Sequence, residues 1–312
     1  MKNIDEMKKQ TIGAEVEMYD ISRRRASIVA ADFFGTNRFE DTARRNGYST
    51  WSAWDAQGRE WKFQRDCSIQ ARRDDQRCEL VTPILHYEDI DTLQELLRRL
   101  RHKGAKSDPA HTCGIHIHIG ADGHTPKTMR NLANIMASRE QLLIKALKLD
   151  AARIGNYCKT VDPRFLNELN TKKPDTMDKL KDIWYKSQNA DYGRDQHYNQ
   201  SRYHMLNYHA TFTKGTIEFR LFQFDNPTGR YRGGLHAGKM KSFIQLCLAL
   251  SQAAKEARSA SPAQPQIENP KYAMRTWLLR LGFIGDEFKT ARDILTRNLD
   301  GDAAFRHGRP AA

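Results

Sequence analysis

The 312-residue sequence is poor in cysteine and arranges none of it for metal or redox work. Cys67, Cys78, Cys113, Cys158 and Cys247 are odd in number and form no Cys-x-x-Cys pair. That argues against a disulfide framework and a thiolate zinc site, and suits reduced thiols in the cytoplasm. No stretch approaches the roughly 18 apolar residues of a membrane span, and residues 1–10 are charged and polar, unlike a signal peptide. A soluble, cytoplasmic protein is expected. The chain also lacks Gly-x-x-x-x-Gly-Lys-Ser/Thr and Gly-x-Gly-x-x-Gly, which argues against P-loop and Rossmann modes of holding a nucleotide. No internal repeat is present.

What the chain does have is positive charge. Lysine and arginine number 51 against 38 acidic residues, a net charge of +13. Such a surface field attracts anions, whether nucleotide, acidic peptide, nucleic acid or anionic lipid. The length suits one large domain or two ordinary ones, with enough apolar content for a core.

Three short stretches, far apart in the chain, share one design. Cys113–Gly120 alternates Ile115, Ile117 and Ile119 with His116 and His118. Ile12–Met18 sets Glu15 and Glu17 against Ala14, Val16 and Met18, and Thr216–Phe222 sets Glu218 and Arg220 against Ile217, Phe219 and Leu221. Each has the period of a β-strand with one apolar and one polar face. Paired in one sheet, they would make a concave surface of carboxylates, imidazoles and one arginine. Glu79, flanked by apolar residues in Cys78-Glu-Leu-Val-Thr-Pro, is costly there unless it is paired or metal-bound.

The rest of the chain frames these strands. Residues 22–25 and 37–48 are basic and polar and read as loops, with a short apolar strand or turn of helix over 28–34. Trp51 to Arg65 reads as a hairpin around Asp55-Ala-Gln-Gly58. Leucines 93, 96, 97 and 100 make residues 89–102 an amphipathic helix, and Thr125-Pro126 opens a second that runs to about Leu149. Residues 151–176 read as irregular, 178–185 as a short helix and 187–201 as a mobile polar loop of the kind that covers an active site. A second hairpin is expected around Lys214-Gly215, a break at 226–229 and a long helix over 235–258. Residues 259–270 read as a linker, followed by helical patterns at about 272–281 and 286–298 and a disordered end over 306–312.

Glutamates at 15, 17, 79 and 218 outnumber the imidazoles, which suits Mg²⁺ or Mn²⁺ better than zinc. Two such ions imply a highly charged anionic substrate, and Arg220 beside Glu218 suits a transferring phosphoryl group.

Taken in order, Glu-x-Glu, Asp-x-Ser, Glu-Leu-Val-Thr-Pro, Cys-Gly-Ile-His-Ile-His, Arg-Tyr-x-x-Leu-Asn and Thr-Ile-Glu-Phe-Arg-Leu-Phe resemble the amidoligase family. These are carboxylate–amine ligases related to glutamine synthetase and glutamate–cysteine ligase. The resemblance runs from about Thr11 to Ala254. It implies an α+β fold, with a curved antiparallel sheet forming a glutamine synthetase-like funnel and helices packed on its outer face. The catalytic domain would span 1–258, with a linker and helical tail over 259–312. It further implies ATP with Mg²⁺ or Mn²⁺, and carboxylate and amine substrates that are small molecules or peptides, with the net charge hinting at acidic ones. Glu17 and Glu79 match the acceptor-side metal ligands, and Glu15, His116 and Glu218 those of the metal bridging the ATP phosphates. Arg220 and Arg202 match phosphate-contacting arginines that act with Glu218 in catalysis. His118, about 7 Å from His116 along a strand, is placed with them at the nucleotide, with substrate or a neighbouring carboxylate as its other possible partners.

Two rival readings come from the same residues. A zinc hydrolase would use His116 and His118 and recruit His204, His209 and Asp225, leaving Glu15, Glu17 and Arg220 without work. A basic nucleic-acid-binding protein explains the charge and the aromatic hairpin, but not carboxylates on three strand faces.

Overall fold

The computed structural model describes residues 3–226 and 234–307. The chain divides into two compact units, one of Thr11–His118 with Phe222–Lys241, the other of Met1–Gln10, Ile119–Leu221 and Ser242–Ala312.

In the first unit the alternation of Ile12–Met18 is realised as strand β1. Ala14, Val16 and Met18 are buried on one face, as period-two side-chain placement requires. The other strands are β2 (Phe39–Asp41), β3 (Trp51–Trp54), β4 (Glu60–Gln64), β5 (Cys78–Val81) and β6 (Ile115–Gly120), which runs on into the second unit. They are ordered β2-β3-β4-β5-β1-β6, and the β2–β3, β3–β4, β4–β5 and β5–β1 pairs are antiparallel. β2 is a free edge with Glu40 and Asp41 exposed, so the sheet is not closed; charge on an edge discourages pairing with other chains.

The Trp51–Arg65 hairpin is present, and its turn is pinned by Asp55, which accepts from the Arg59 side chain at 2.8 Å and from Trp61 Nε1 at 3.0 Å. Arg59 also forks onto both oxygens of Asp89 at 2.8 and 2.9 Å. The leucine-patterned helix spans Ile90–His102 and buries Leu93, Leu96, Leu97 and Leu100, each contributing about 1.5–3 kcal/mol relative to exposure.

It packs on a helix that the sequence reading missed. Residues 22–34 are not a loop followed by a short strand or turn but one helix, Arg23–Phe34, lying against β3 and β4. Ser22 caps its N-terminus and Gly35, at φ +70°, ends it. The basic run looked solvated, yet Arg23 is buried and donates to the carbonyls of Ser49, Asp74 and Arg77.

The second unit is mainly helical. Its longest helix, Pro126–Leu147, opens on a Thr125–Thr128 capping box with proline at the first turn. Residues 151–176 are ordered rather than irregular. They hold helices Ala151–Asn156 and Pro163–Lys172, capped by Asp150 and Asp162, each of which accepts two backbone N–H bonds. Met177–Ser187 follows as a helix. The expected hairpin around Lys214-Gly215 is instead a helix, His209–Lys214, that ends on left-handed Gly215. A two-residue β7 (Leu206–Asn207) pairs antiparallel with β8 (Thr216–Phe222). Helix Ala237–Glu256 begins in the first unit and ends in this one. Pro270–Arg280 and Lys289–Thr296 complete it, the latter against Pro126–Leu147.

The fold is thus α+β with an open antiparallel sheet. Among the described residues no helix is long and apolar enough to cross a membrane. Residues 227–229 of the expected break and 308–312 of the expected disordered end lie outside the described residues.

Candidate active site

Register builds the polar face of the first unit. Glu17 lies directly opposite Glu79, and Glu79 opposite Gln64, so three strands place one polar row across the sheet. Gln64 Nε2 donates to Glu79 Oε2 at 2.7 Å. The Gly114 N–H, just before β6, donates to Glu17 Oε2 at 2.6 Å. His116 Nδ1 lies 2.9 Å from Glu15 Oε2, its Nε2 is 3.9 Å from Glu17 Oε1, and His118 Nε2 is 3.3 Å from Glu15 Oε1.

Two ligand groups lie wholly within this unit among the described residues. Glu15, Glu79 and His116 each offer an atom within 4.8 Å of the others, and so do Glu17, Asp66 and Glu79. Glu79 belongs to both. Glu17, Glu79, His116 and His118 are all buried.

Like charges facing each other across a strand pair repel, and burial raises the cost of each. The Glu79 carboxyl is accordingly held well above the ordinary carboxylate range, by burial first and then by Glu15, Asp66 and Glu17, against the pull of Gln64. A divalent cation would remove that penalty. The donors fit one: they are oxygen-rich with a single imidazole, the set that Mg²⁺ or Mn²⁺ takes. Ligands on opposite sides of an ion with bonds near 2.1 Å sit about 4.2 Å apart, within the spread of these groups. Asp66 was missed as a ligand in the sequence because it lies on a loop after β4, where no alternation marks it. Its Asp-x-Ser step was the available signal, and Asp66 Oδ1 indeed accepts from the Ser68 N–H at 2.6 Å.

Glu218, Arg220 and Arg202 lie in the second unit. Glu218 and Arg220 share a face of β8 and are both buried, with Glu218 Oε1 2.5 Å from Arg220 Nη1. Asn207, opposite Glu218 in register, donates to its other oxygen at 2.5 Å. The guanidinium groups of Arg220 and Arg202 each lie 5.8 Å from the Tyr203 ring. Arg202 is half-buried and also stacks on Tyr198 at 5.2 Å.

The residues a hydrolase would recruit have other partners. His204 Nδ1 is 2.6 Å from the Thr160 carbonyl, His209 Nδ1 is 2.6 Å from the Tyr185 hydroxyl, and Asp225 pairs with Lys239 at 2.6 Å. Burial pushes both imidazoles below their ordinary range. Neither joins a three-residue ligand group among the described residues.

No curated protein matches the chain. A family profile described as "Putative amidoligase enzyme" does, over residues 8–251, most of the chain and all of the strands above. The chain belongs to this amidoligase family.

Proposed function

We propose that the protein is an ATP-dependent carboxylate–amine ligase working through an acyl phosphate. The observation that carries this is the pair of carboxylate-rich groups sharing Glu79, in a chain whose family name describes a ligase. On this reading the open antiparallel sheet is the catalytic face of a glutamine synthetase-like funnel.

A carboxylate oxygen of one substrate attacks the γ-phosphorus of ATP, the bond to the bridging oxygen breaks, and ADP leaves with that electron pair. An amine nitrogen then attacks the acyl carbon, the carbon–oxygen bond to phosphate breaks, and phosphate leaves as the amine gives up its proton. Divalent ions, held by Glu15, Glu17, Asp66, Glu79 and His116, would neutralise the phosphate and carboxylate oxygens. Gln64 and the Gly114 N–H fix the orientation of Glu79 and Glu17. The resemblance to the family's motif order supports giving Glu218 and Arg220 a part in the same reaction. Arg220 would stabilise charge on the transferring phosphoryl group, with Glu218 and Asn207 holding its side chain in place, and Arg202 would contact phosphate.

Calorimetry with a non-hydrolysable ATP analogue and Mg²⁺ tests this. Wild type is expected to bind only with the metal, and Glu15→Gln and Glu79→Gln to bind at least about 100-fold more weakly, since even outer-shell changes cost 10–100-fold. Metal-independent binding, or none alongside tight zinc binding, would count against the ligase and for the hydrolase.

A further inference from the structure

Strands β1–β6 carry a single lysine or arginine, Lys62 in the middle of β4. Alternation puts it on the same face as Gln64 and opposite Trp61 and Phe63, which are fully buried. Register fixes its place among the ligands. Gln64 pairs with Glu79, so Lys62 stands one strand repeat, about 7 Å, along the face from the residue that holds Glu79. Lys62 itself pairs with Val81, and Val81 pairs with Glu15, so lysine, valine and glutamate form one row across β4, β5 and β1. The two ends of that row are about 10 Å apart between Cα atoms.

Every neighbour of Lys62 in this register is committed elsewhere or apolar. Ser52, its partner on β3, bonds hydroxyl to hydroxyl with Thr42 at 2.7 Å. Val81, its partner on β5, has no polar side-chain atom. Along β4, Glu60 accepts from Arg45 at 2.8 Å and from Asn46 at 2.9 Å, and Lys62 acts on it only through space. Gln64 directs its amide to Glu79. Lys62 is half-buried and makes no hydrogen bond or ion pair among the described residues. An ammonium taken partly out of water without a partner is unfavourable. The chain nevertheless keeps one on the face that gathers Glu15, Glu79 and His116, and no step of the reaction above uses it.

The row reads as cation, apolar spacer, metal-ligand group. A molecule with two anionic groups joined by a carbon chain matches that order. One carboxylate meets the ions at Glu15 and Glu79, the chain crosses half-buried Val81, and the second carboxylate meets Lys62. A lysine is a compact point charge and takes such a group without demanding a forked geometry. A monocarboxylate would leave Lys62 unpaired, and an amine at the far end would be repelled by it, so the same residue selects for one class and against others.

Resting on the ligase reading, we propose that Lys62 is a specificity residue for the acyl substrate: it takes a second carboxylate on the molecule whose first carboxylate is activated at the ions. The acyl substrate is therefore a dicarboxylate.

Calorimetry on the Mn²⁺-loaded full chain tests it, with succinate, glutarate and adipate as probes beside butyrate, valerate and hexanoate, the monocarboxylates of equal carbon number. At least one diacid is expected to bind about tenfold or more tightly than its monoacid, the size of one charge-assisted bond. Lys62→Met should erase that gain and leave the monoacids as they were, and Lys62→Arg should keep it. Diacids that bind wild type no better than monoacids would overturn the proposal. So would a gain that survives in Lys62→Met, which would put both carboxylates on the ions, or a Lys62→Met variant that no longer binds Mn²⁺, which would make Lys62 a support of the metal group. Mn²⁺ uptake is measured separately. A wild type that takes up the metal and shows no preference loses the specificity residue and keeps the ligase reading, whereas one that takes up no metal loses both.

Discussion

In the unit built on Ile119–Leu221, Glu218 brings its compensating charge with it: Arg220 stands two residues along the same strand, and Asn207 satisfies the second oxygen. In the unit built on Thr11–His118, Glu15, Glu17, Asp66 and Glu79 are gathered with imidazoles, the Gln64 amide and the Gly114 N–H around them. There, Glu79 has no ion pair among the described residues. Both arrangements rest on polar rows of strands, joined in the first unit by Asp66 from a loop, with Glu15 and Asp66 half-buried. One holds a carboxylate with a cationic partner on its own strand, while the other is a set of crowded carboxylates whose repulsion a divalent cation would relieve. On the ligase reading, the same alternation of residues serves as a fixed support in one unit and as a receptor in the other, depending on whether the opposite charge is encoded beside the carboxylate.

The largest effect expected from breaking this contrast is at Arg220. Arg220→Met strands Glu218 in the interior and should cost about 3–5 kcal/mol in denaturant unfolding, as the loss of one partner of a buried pair does. Arg220→Met with Glu218→Gln should recover most of that stability and none of the activity. A double variant as unstable as the single one would mean that the pair is not the unit of compensation.

Glu140 sharpens the comparison with a carboxylate that lies between the two cases. It is buried in helix Pro126–Leu147 and accepts the Val161 N–H at 2.6 Å. Burial raises its pKa to about 7, partly offset by that bond. The folded state therefore holds this proton more tightly than the unfolded chain, whose carboxyl titrates near 4.5. Its contribution is fully present below about 4.5 and is lost as pH rises through about 7. Glu140→Gln should remove that slope and stabilise the protein at pH 8 by on the order of 3 kcal/mol. Unfolding curves at pH 5 and 8 read it directly, and an unchanged slope in the variant would place the titration elsewhere.

The smallest expected effect has the most telling sign. Glu79→Gln removes one of the crowded charges and should raise metal-free stability by about 1 kcal/mol, roughly 2–4 °C in melting temperature. With Mg²⁺ at saturation the order should reverse, because the variant has lost a ligand common to both groups. A variant less stable than wild type in both conditions would make Glu79 an ordinary structural residue.

The strands that carry these charges were legible because alternation is a local signal. Glu15, Glu17, His116, His118, Glu218 and Arg220 all sit on period-two runs, and the structure places each run in a strand. The Leu93–Leu100 stripe was legible for the same reason at helical period. What was hidden depended on tertiary context. The arginine-rich start of helix Arg23–Phe34 resembles a solvated loop until Arg23 finds three carbonyls far along the chain. Helix His209–Lys214 is a short element with little periodicity, and its closing Gly215 serves a hairpin turn equally well. Helix Pro163–Lys172 did leave a mark, Asp162-Pro163, a capping residue followed by proline at the first turn. Asp66 joins its ligand group from a loop, where only folding brings it beside Glu17 and Glu79.

The most direct test of the central claim, that the charge missing from the first unit is supplied by divalent ions, is a Mn²⁺ titration of the full chain by electron paramagnetic resonance without nucleotide. Wild type is expected to bind two ions, one for each carboxylate group, and Glu79→Gln to lose both, because Glu79 serves both groups. A wild type that binds no Mn²⁺ at millimolar concentration, or a Glu79→Gln variant that binds it unchanged, would contradict the account.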